Sequence, residues 1–453
     1  MPNPAPAAAP RPPASAARFG INLVAMAAAL LALALLQRHG MDALPSGLIA
    51  AAIAALLIAA SDYFQGHANP QEANGIAAAP LRKADAARIA TKLAGLLLTL
   101  ALLAFAYWLF PEYHGSFYDP FWFSLRYVGS GLLVAAPFYF WWMDRRLDNP
   151  HDAYWQVGRL LYRNWRGAEW GAIHQHFLGW LVKGFFLPLM LNYLGQEIQQ
   201  TGDAWTRMQQ GQGWYDFCYH SGFLVDLLFC VMGYAVTFRI LGSHIRSTEP
   251  TAFGWLVALL CYQPFYSLIG GQYLHYDDNI YWGGWLSGVP SVQTVWGSVI
   301  IALVFIYSAC TVSFGLRFSN LTHRGIITSG PYRYSKHPAY LSKNLSWWLI
   351  SVPFISHSGA FAALRDCCLL GLLNLVYFLR ARTEERHLSR DPHYVTYALW
   401  INDHGLLRGL GNWLPFLRYR APLEPAPAAL TSTPLPGEAG QKSPRAAAKK
   451  GRK

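Results

Sequence analysis

Apolar runs of close to twenty residues alternate along this chain with short polar and basic connections. A helix needs about 20 mostly apolar residues to cross the hydrocarbon of a bilayer. Windows approaching that length lie at 20–38, 46–64, 92–110, 122–143, 175–194, 219–239, 253–270, 295–316, 338–357 and 360–379. The pattern predicts an all-α fold, a polytopic transmembrane helix bundle of about ten spans.

The basic residues mark alternate connections, as the positive-inside rule requires of cytoplasmic loops. Arg11 and Arg18 precede the first window, and Arg82, Lys83 and Arg88 follow the second. Arg145, Arg146, Arg159, Arg163 and Arg166 follow the fourth, Arg239 and Arg246 the sixth, and Arg317, Arg324, Arg333 and Lys336 the eighth. The intervening connections hold single residues such as Arg38, Arg126, Arg207 and Arg365, or none. An even number of spans with both termini cytoplasmic follows. The first window is long, basic in front and without a clear small-residue cleavage site, so it reads as a span rather than a cleaved signal peptide.

Composition agrees: 453 residues are 53% hydrophobic and only 13% charged. The net charge of +12 does not argue for nucleic acid, because Lys442, Arg445, Lys449, Lys450, Arg452 and Lys453 supply half of it in a C-terminal tail. Four regions are expected: a Pro/Ala-rich disordered tail at 1–17, an N-terminal transmembrane bundle of unknown role at 18–289, a C-terminal domain at 290–420, and a disordered basic tail at 421–453. The six cysteines fall in or beside apolar runs without CxxC or Cys/His spacing, so they read as small core residues and no metal site is expected.

Within the bundle, Lys183 and Asp226 stand in consecutive antiparallel windows and are candidates to pair, since intramembrane charge is expensive. His174 and His176 read as interfacial. The loop 270–294, with Tyr273, Tyr276, Asp277, Asp278, Tyr281, Trp282 and Trp285, reads as an interfacial aromatic belt.

The densest chemistry is in GPYRYSKHPAYLSKN, residues 330–344, which carries Arg333, Lys336, His337 and Lys343 between two spans. Gly330 and Pro331 form a turn. Pro338 suits the first position of a helix, which places His337 at its start, where the helix dipole and nearby cations favour an anion. One hairpin later the tenth window ends in Arg380, Arg382, Glu384 and Glu385, with Arg380 and Glu384 four apart on one helix face. Tyr394 and Tyr397 follow at helical spacing, positioned to close over the charges.

These two motifs resemble the isoprenylcysteine carboxyl methyltransferase and phospholipid methyltransferase superfamily of integral membrane methyltransferases. That family shows GPYR-x-x-R-H-P-x-Y-x-G opening a span and then R-x-x-x-E-E-x-x-L and Y-x-x-Y. Lys336 stands here where Arg is usual, Ser342 where Gly is usual, and Asp391-Pro392 near the usual Phe-Gly. The resemblance implies S-adenosylmethionine as cofactor at the cytoplasmic mouth of the last helices and a lipophilic acceptor reaching it from the membrane. It implies cofactor binding by Arg333, His337, Pro338, Tyr340, Arg380, Glu385, Tyr394 and Tyr397, with Glu385 on the ribose and the Tyr340 ring near the sulfonium. Glu384 and Arg380 are the implied catalytic pair, Glu384 serving as base for an amine acceptor.

Two other readings stay open. Membrane sterol or enone reductases using a nicotinamide cofactor share the basic mouth, although KHPAY with the Glu pair leans toward methyl transfer. A transporter or scaffold would use Lys183 and Asp226, but no repeat of two matching halves is visible. The alanine-rich composition suggests a bacterial inner membrane, and no protein partner is indicated.

Overall fold

The computed structural model describes residues 12–65, 74–162, 165–276 and 278–422. The rest of both expected tails, Arg163 and Asp277 lie outside the described residues. The chain forms α1 (Phe19–Arg38), α2 (Ala43–Gln65), α3 (Ala86–Leu109), α4 (Asp119–Ser124), α5 (Ser130–Asp144), α6 (Ala153–Leu161), α7 (Trp170–Gln209) and α8 (Trp214–Ala235). There follow β1 (Ser247–Thr248), α9 (Ala252–Leu259), α10 (Phe265–Leu268), α11 (Trp282–Trp285), α12 (Pro290–Phe314) and β2 (Thr322–His323). The C-terminal part adds α13 (Pro338–Ser351), α14 (Ala360–Leu388), α15 (Pro392–His404) and α16 (Arg408–Trp413).

Seven of the described helices are long and apolar enough to cross a membrane: α1, α2, α3, α7, α8, α12 with its last turn, and α14. Of the other three expected windows, two are interrupted helices and one is a short helix. Residues 122–143 run through α4, a π-helical segment Leu125–Gly129 and α5, with Pro137 inside the last. Residues 253–270 split at Pro264 into α9 and α10. α13 is a single 14-residue helix.

α7 and α8 form the centre, where Phe186, Leu189, Leu194, Leu228 and Tyr234 are fully buried in a cluster shared with α1 and α2. Without a hydrophobic driving force in lipid, helix pairs depend on close approach by small residues. α3 and α6 meet in this way: a Cβ on Gly95 would lie 2.0 Å from the Tyr154 carbonyl oxygen, and one on Gly158 1.9 Å from that of Thr91. α3 also carries a buried ion network in which Arg88 and Lys92 meet Asp144 at the end of α5, and Lys92 meets Asp152, the cap of α6, at 3.2 Å. No sequence signal pointed to it.

Lys183 and Asp226 do not pair. Lys183 donates to Thr237 Oγ1 at 2.7 Å and lies over the Trp180 ring, whereas Asp226 accepts from Thr311. Thr237 lies just past α8, eleven residues beyond Asp226, which at about 1.5 Å per residue puts the charges at different depths. His176, near the start of α7, is buried, its Nε2 2.9 Å from Thr99 Oγ1. The described part of the loop 270–294 is tied down: Asp278 accepts from Ser356 Oγ and the His357 N–H, and Gln293 donates to the Gly283 carbonyl.

The described end of the expected N-terminal tail is also packed. Ala16 and Ala17 are buried with Ile327, the Ala16 N–H donates to the Ile326 carbonyl, and Thr328 bonds Pro13 and Ser15. Small alanines suit that close contact. Behind α8, the buried Arg324 guanidinium donates to the carbonyls of Ser243 (2.7 Å), Gly233 (2.6 Å), Phe318 (2.8 Å) and Val236 (3.0 Å). It thereby closes the C-terminal end of α8 against the loop after α12, satisfying carbonyls that the helix leaves open.

Two stability outcomes follow. Gly158→Leu forces α6 from α3 and is expected to destabilise the purified protein by roughly 2 kcal/mol or more, seen as a lower melting temperature in detergent. Arg324→Met leaves four carbonyls short of a donor, with an expected loss on the order of 3 kcal/mol; an unchanged melting temperature would rule out its closing role.

Candidate functional site

The site is assembled by the last third of the chain. Gly330 opens a short 3-10 turn, Gly330–Arg333, at φ +61°, and a Cβ there would lie 2.3 Å from Ser313 Oγ, so both conformation and space call for glycine. His337 is the residue before α13, and Pro338 takes its first position, as the sequence predicts. α14 runs unbroken to Leu388, so the tenth apolar window and the charged residues after it are one rod. The α13–α14 hairpin returns that rod beside His337.

Glu385, only 5% exposed, is the meeting point. Lys336 Nζ lies 2.7 Å from Oε1, His337 Nε2 3.2 Å from the same oxygen, and Arg382 Nη1 2.6 Å from Oε2. A buried carboxylate persists only with such partners. Burial pulls the Lys336 ammonium below its ordinary value against the upward pull of Glu385. Lysine thus supplies the charge at the position where the resemblance has arginine.

On the neighbouring face of α14, Glu384 accepts from the Tyr340 hydroxyl and lies 3.4 Å from Arg380 Nε. Arg380 Nη2 donates to Asn320 Oδ1 at 2.6 Å, and its guanidinium lies over the rings of Tyr262 and Tyr340. Asn320 in turn donates to the hydroxyls of Tyr234 at 2.7 Å and Tyr262 at 2.9 Å. The N-terminal bundle therefore reaches the site through Tyr234 and Tyr262. Neither these tyrosines nor Asn320 carries a spacing that sequence reasoning could have found. The Tyr340 ring, placed near a sulfonium by the resemblance, is approached by Arg380 and stacks with His337 at 12°.

The remaining predicted residues are dispersed. Arg333 is exposed on the 3-10 turn. Pro338 is buried and shapes the helix start. Tyr397 does not close over the charges: its hydroxyl donates to the carbonyls of Tyr332 (2.6 Å) and Ser335 (3.1 Å), bracing the turn from below. Tyr394 is buried against Tyr397 and Tyr419, and its hydroxyl has no hydrogen-bond partner among the described residues. Burial first, and then Glu385, push that phenol well above its ordinary value. Ser342 fits in place of glycine by returning its hydroxyl to the Pro338 carbonyl.

Beside Glu385 a cleft of about 370 Å³ is lined by Arg382, Arg386, Ser389, Tyr419, Arg420 and Phe253. Three arginines line the cleft and one of them, Arg382, bonds the carboxylate, a lining that suits a ligand carrying both an anion and hydroxyl donors. With this geometry in view the comparison is specific. Residues 294–390 match the Isoprenylcysteine carboxyl methyltransferase (ICMT) family. The match bears out the resemblance drawn from the two motifs. The ICMT stretch begins inside α12 and ends after α14, so it covers well under half of the chain and leaves α1–α11 outside. No curated protein and no solved structure matches the chain.

Asp391 fixes the next helix after the ICMT stretch. It caps α15 by accepting from the His393 N–H and pairs with His323 at 3.1 Å. Burial alone would raise its carboxyl, yet the bonds from His323 and the His393 N–H hold it well below the usual range. Its contribution to stability is then complete above that range and fades as pH falls through the lowered value. The first turn of α15 is expected to keep its amide protection from about pH 7 to about pH 5 and to lose it in stronger acid. Hydrogen exchange showing loss near pH 6 would contradict the assignment.

Proposed function

We propose that the protein is an integral membrane methyltransferase that uses S-adenosylmethionine and acts on a lipophilic acceptor. The observation that carries this reading is Glu385, held among Lys336, His337 and Arg382 beside an arginine-lined cleft, within the stretch that matches the ICMT family. The residues present fit the cofactor. Glu385 is the acceptor for ribose hydroxyls, Arg382, Arg386 and Arg420 are the groups for its carboxylate, and the Tyr394 hydroxyl, buried without a partner among the described residues, is a further donor close to Glu385.

When bound, the cofactor supplies a methyl group on a positively charged sulfonium. The chain's own residues then orient and desolvate the reactants, which is where much of the acceleration of a simple displacement arises. Arg380, fixed by Asn320 and Glu384, holds the inner wall; Glu384, bonded to Tyr340, is the group placed to take a proton from an acceptor that carries one. A carboxylate or thiolate acceptor needs no such base. The site then faces the cytoplasm, as the loop charges suggest, with both termini on that side and the two interrupted segments and the short α13 completing ten crossings.

Calorimetry of S-adenosylmethionine binding to the purified chain tests the reading. Saturable binding is expected, weakened roughly tenfold or more in Glu385→Gln through loss of charge-assisted bonds, with the fold preserved by melting. Binding of NADPH in its place would sink the methyltransferase assignment.

A further inference from the structure

The cleft beside Glu385 is lined from outside the ICMT stretch as well as from within it. Tyr419, Arg420 and Pro422 follow that stretch, and Phe253, in the first turn of α9, precedes it. Of the arginines that α14 presents to the cleft, Arg382 is bonded to Glu385. Arg386 is bonded instead to the segment that opens α9: its Nη2 donates to Thr251 Oγ1 at 3.0 Å and lies 3.8 Å from Glu249 Oε1.

A threonine hydroxyl has one proton and two lone pairs. Thr251 gives the proton to Glu249 Oε1, which also accepts the Thr251 N–H at 2.9 Å. The lone pairs are thereby turned toward two other donors, the Gly254 N–H at 3.2 Å, which completes the cap of α9, and the Arg386 guanidinium. Glu249 is only 3% exposed, and α9 begins directly against it: a Cβ on Gly254 would lie 2.5 Å from Glu249 Cγ. The carboxylate fixes the hydroxyl, and the hydroxyl fixes the arginine.

The Arg386 side chain is 58% exposed. An arginine so placed ordinarily keeps much of its rotamer freedom, which a ligand must remove when it binds. Here a neighbouring segment has already ordered it. The bond to Thr251 engages one nitrogen of the guanidinium, so the fork keeps donors for a second partner.

We propose that Glu249 and Thr251 are positioning residues, which hold Arg386 in the orientation that receives the carboxylate of the bound ligand. The segment before α9, outside the ICMT stretch, thereby sets the preference of the cleft for a ligand with an anionic end. The inference rests on the methyltransferase reading, which makes that ligand S-adenosylmethionine.

The test compares S-adenosylmethionine with its decarboxylated form, which keeps the adenosine, the sulfonium and the amine, by calorimetry on the full-length protein in detergent. Wild type is expected to bind S-adenosylmethionine about tenfold or more tightly than the decarboxylated compound. Thr251→Ser keeps the hydroxyl and is expected to keep that preference. Thr251→Val is expected to lower it about threefold, by weakening S-adenosylmethionine while the decarboxylated compound binds as before; a merely structural role would weaken both alike. Arg386→Gln is expected to lower the preference at least as far, and Thr251→Val added to it to change nothing more. An undiminished preference in either single variant, equal losses for the two compounds, or additive effects in the double variant overturns the proposal. Should Thr251→Val not fold, Thr251→Gly, which a helix start tolerates nearly as well as threonine, takes its place, and an unchanged preference there overturns the proposal equally. Saturable binding of both compounds to wild type with equal affinity removes this inference and leaves the cofactor reading standing, whereas binding of neither removes both.

Discussion

A buried carboxylate held by a lysine, a histidine and an arginine is the constraint around which the C-terminal part is arranged. Glu385 comes from α14, while Lys336 and His337 come from the start of α13. The three can meet only if the hairpin closes to the right depth and the 3-10 turn holds its shape. Removing any one partner leaves charge in a poorly hydrated place, where the penalty exceeds what an exposed pair would register. The supports around it serve that meeting: Gly330 lets the chain pass Ser313, Tyr397 braces two carbonyls of the turn, and Asp391 starts the helix that carries Tyr397.

The second layer of dependence runs through Arg380. Its guanidinium, Asn320, Tyr234 and Tyr262 form a continuous polar chain from α14 to the N-terminal bundle. Asn320 uses both its amide oxygen and its amide nitrogen in this chain, which suits a setting where water is scarce. The ICMT-like hairpin is thus bonded into the larger bundle through specific side chains.

Much of the architecture was legible because apolar runs of bilayer length have few other solutions. The seven long helices, the start of α13 at Pro338 and the convergence of His337 with the end of α14 all follow from pattern and spacing. The two interrupted segments were harder, since hydropathy averages over the breaks that Pro264 and the π-helical turn introduce, and α13 is shorter than its apolar window. Pairing Lys183 with Asp226 failed for a related reason: sequence assigns both to neighbouring helices but does not fix their depth. Asn320 and Arg324 were invisible as a class, because a lone polar residue in a loop shows no period, and its partners come from α8 and the loops around it. Tyr394 and Tyr397, alike in the sequence motif, separate only in three dimensions, where one hydroxyl is bonded and the other is not.

The packing of residues 13–17 against 326–329 bears on how the protein is made. Pro13 and Ser15 are bonded to Thr328, more than 310 positions later in the chain, and Asn22 in α1 donates to the Val312 carbonyl. α1 can meet α2 early, through Arg18 and Ser61 among others, but residues 13–17 find these partners only once the turn after α12 has been synthesised. Contacts so distant in sequence form late, so residues 13–17 join the structure after most of the bundle has been made. A fusion placed directly before residue 12 would weigh on this last step of assembly, even though it lies far in sequence from every charged residue of the site.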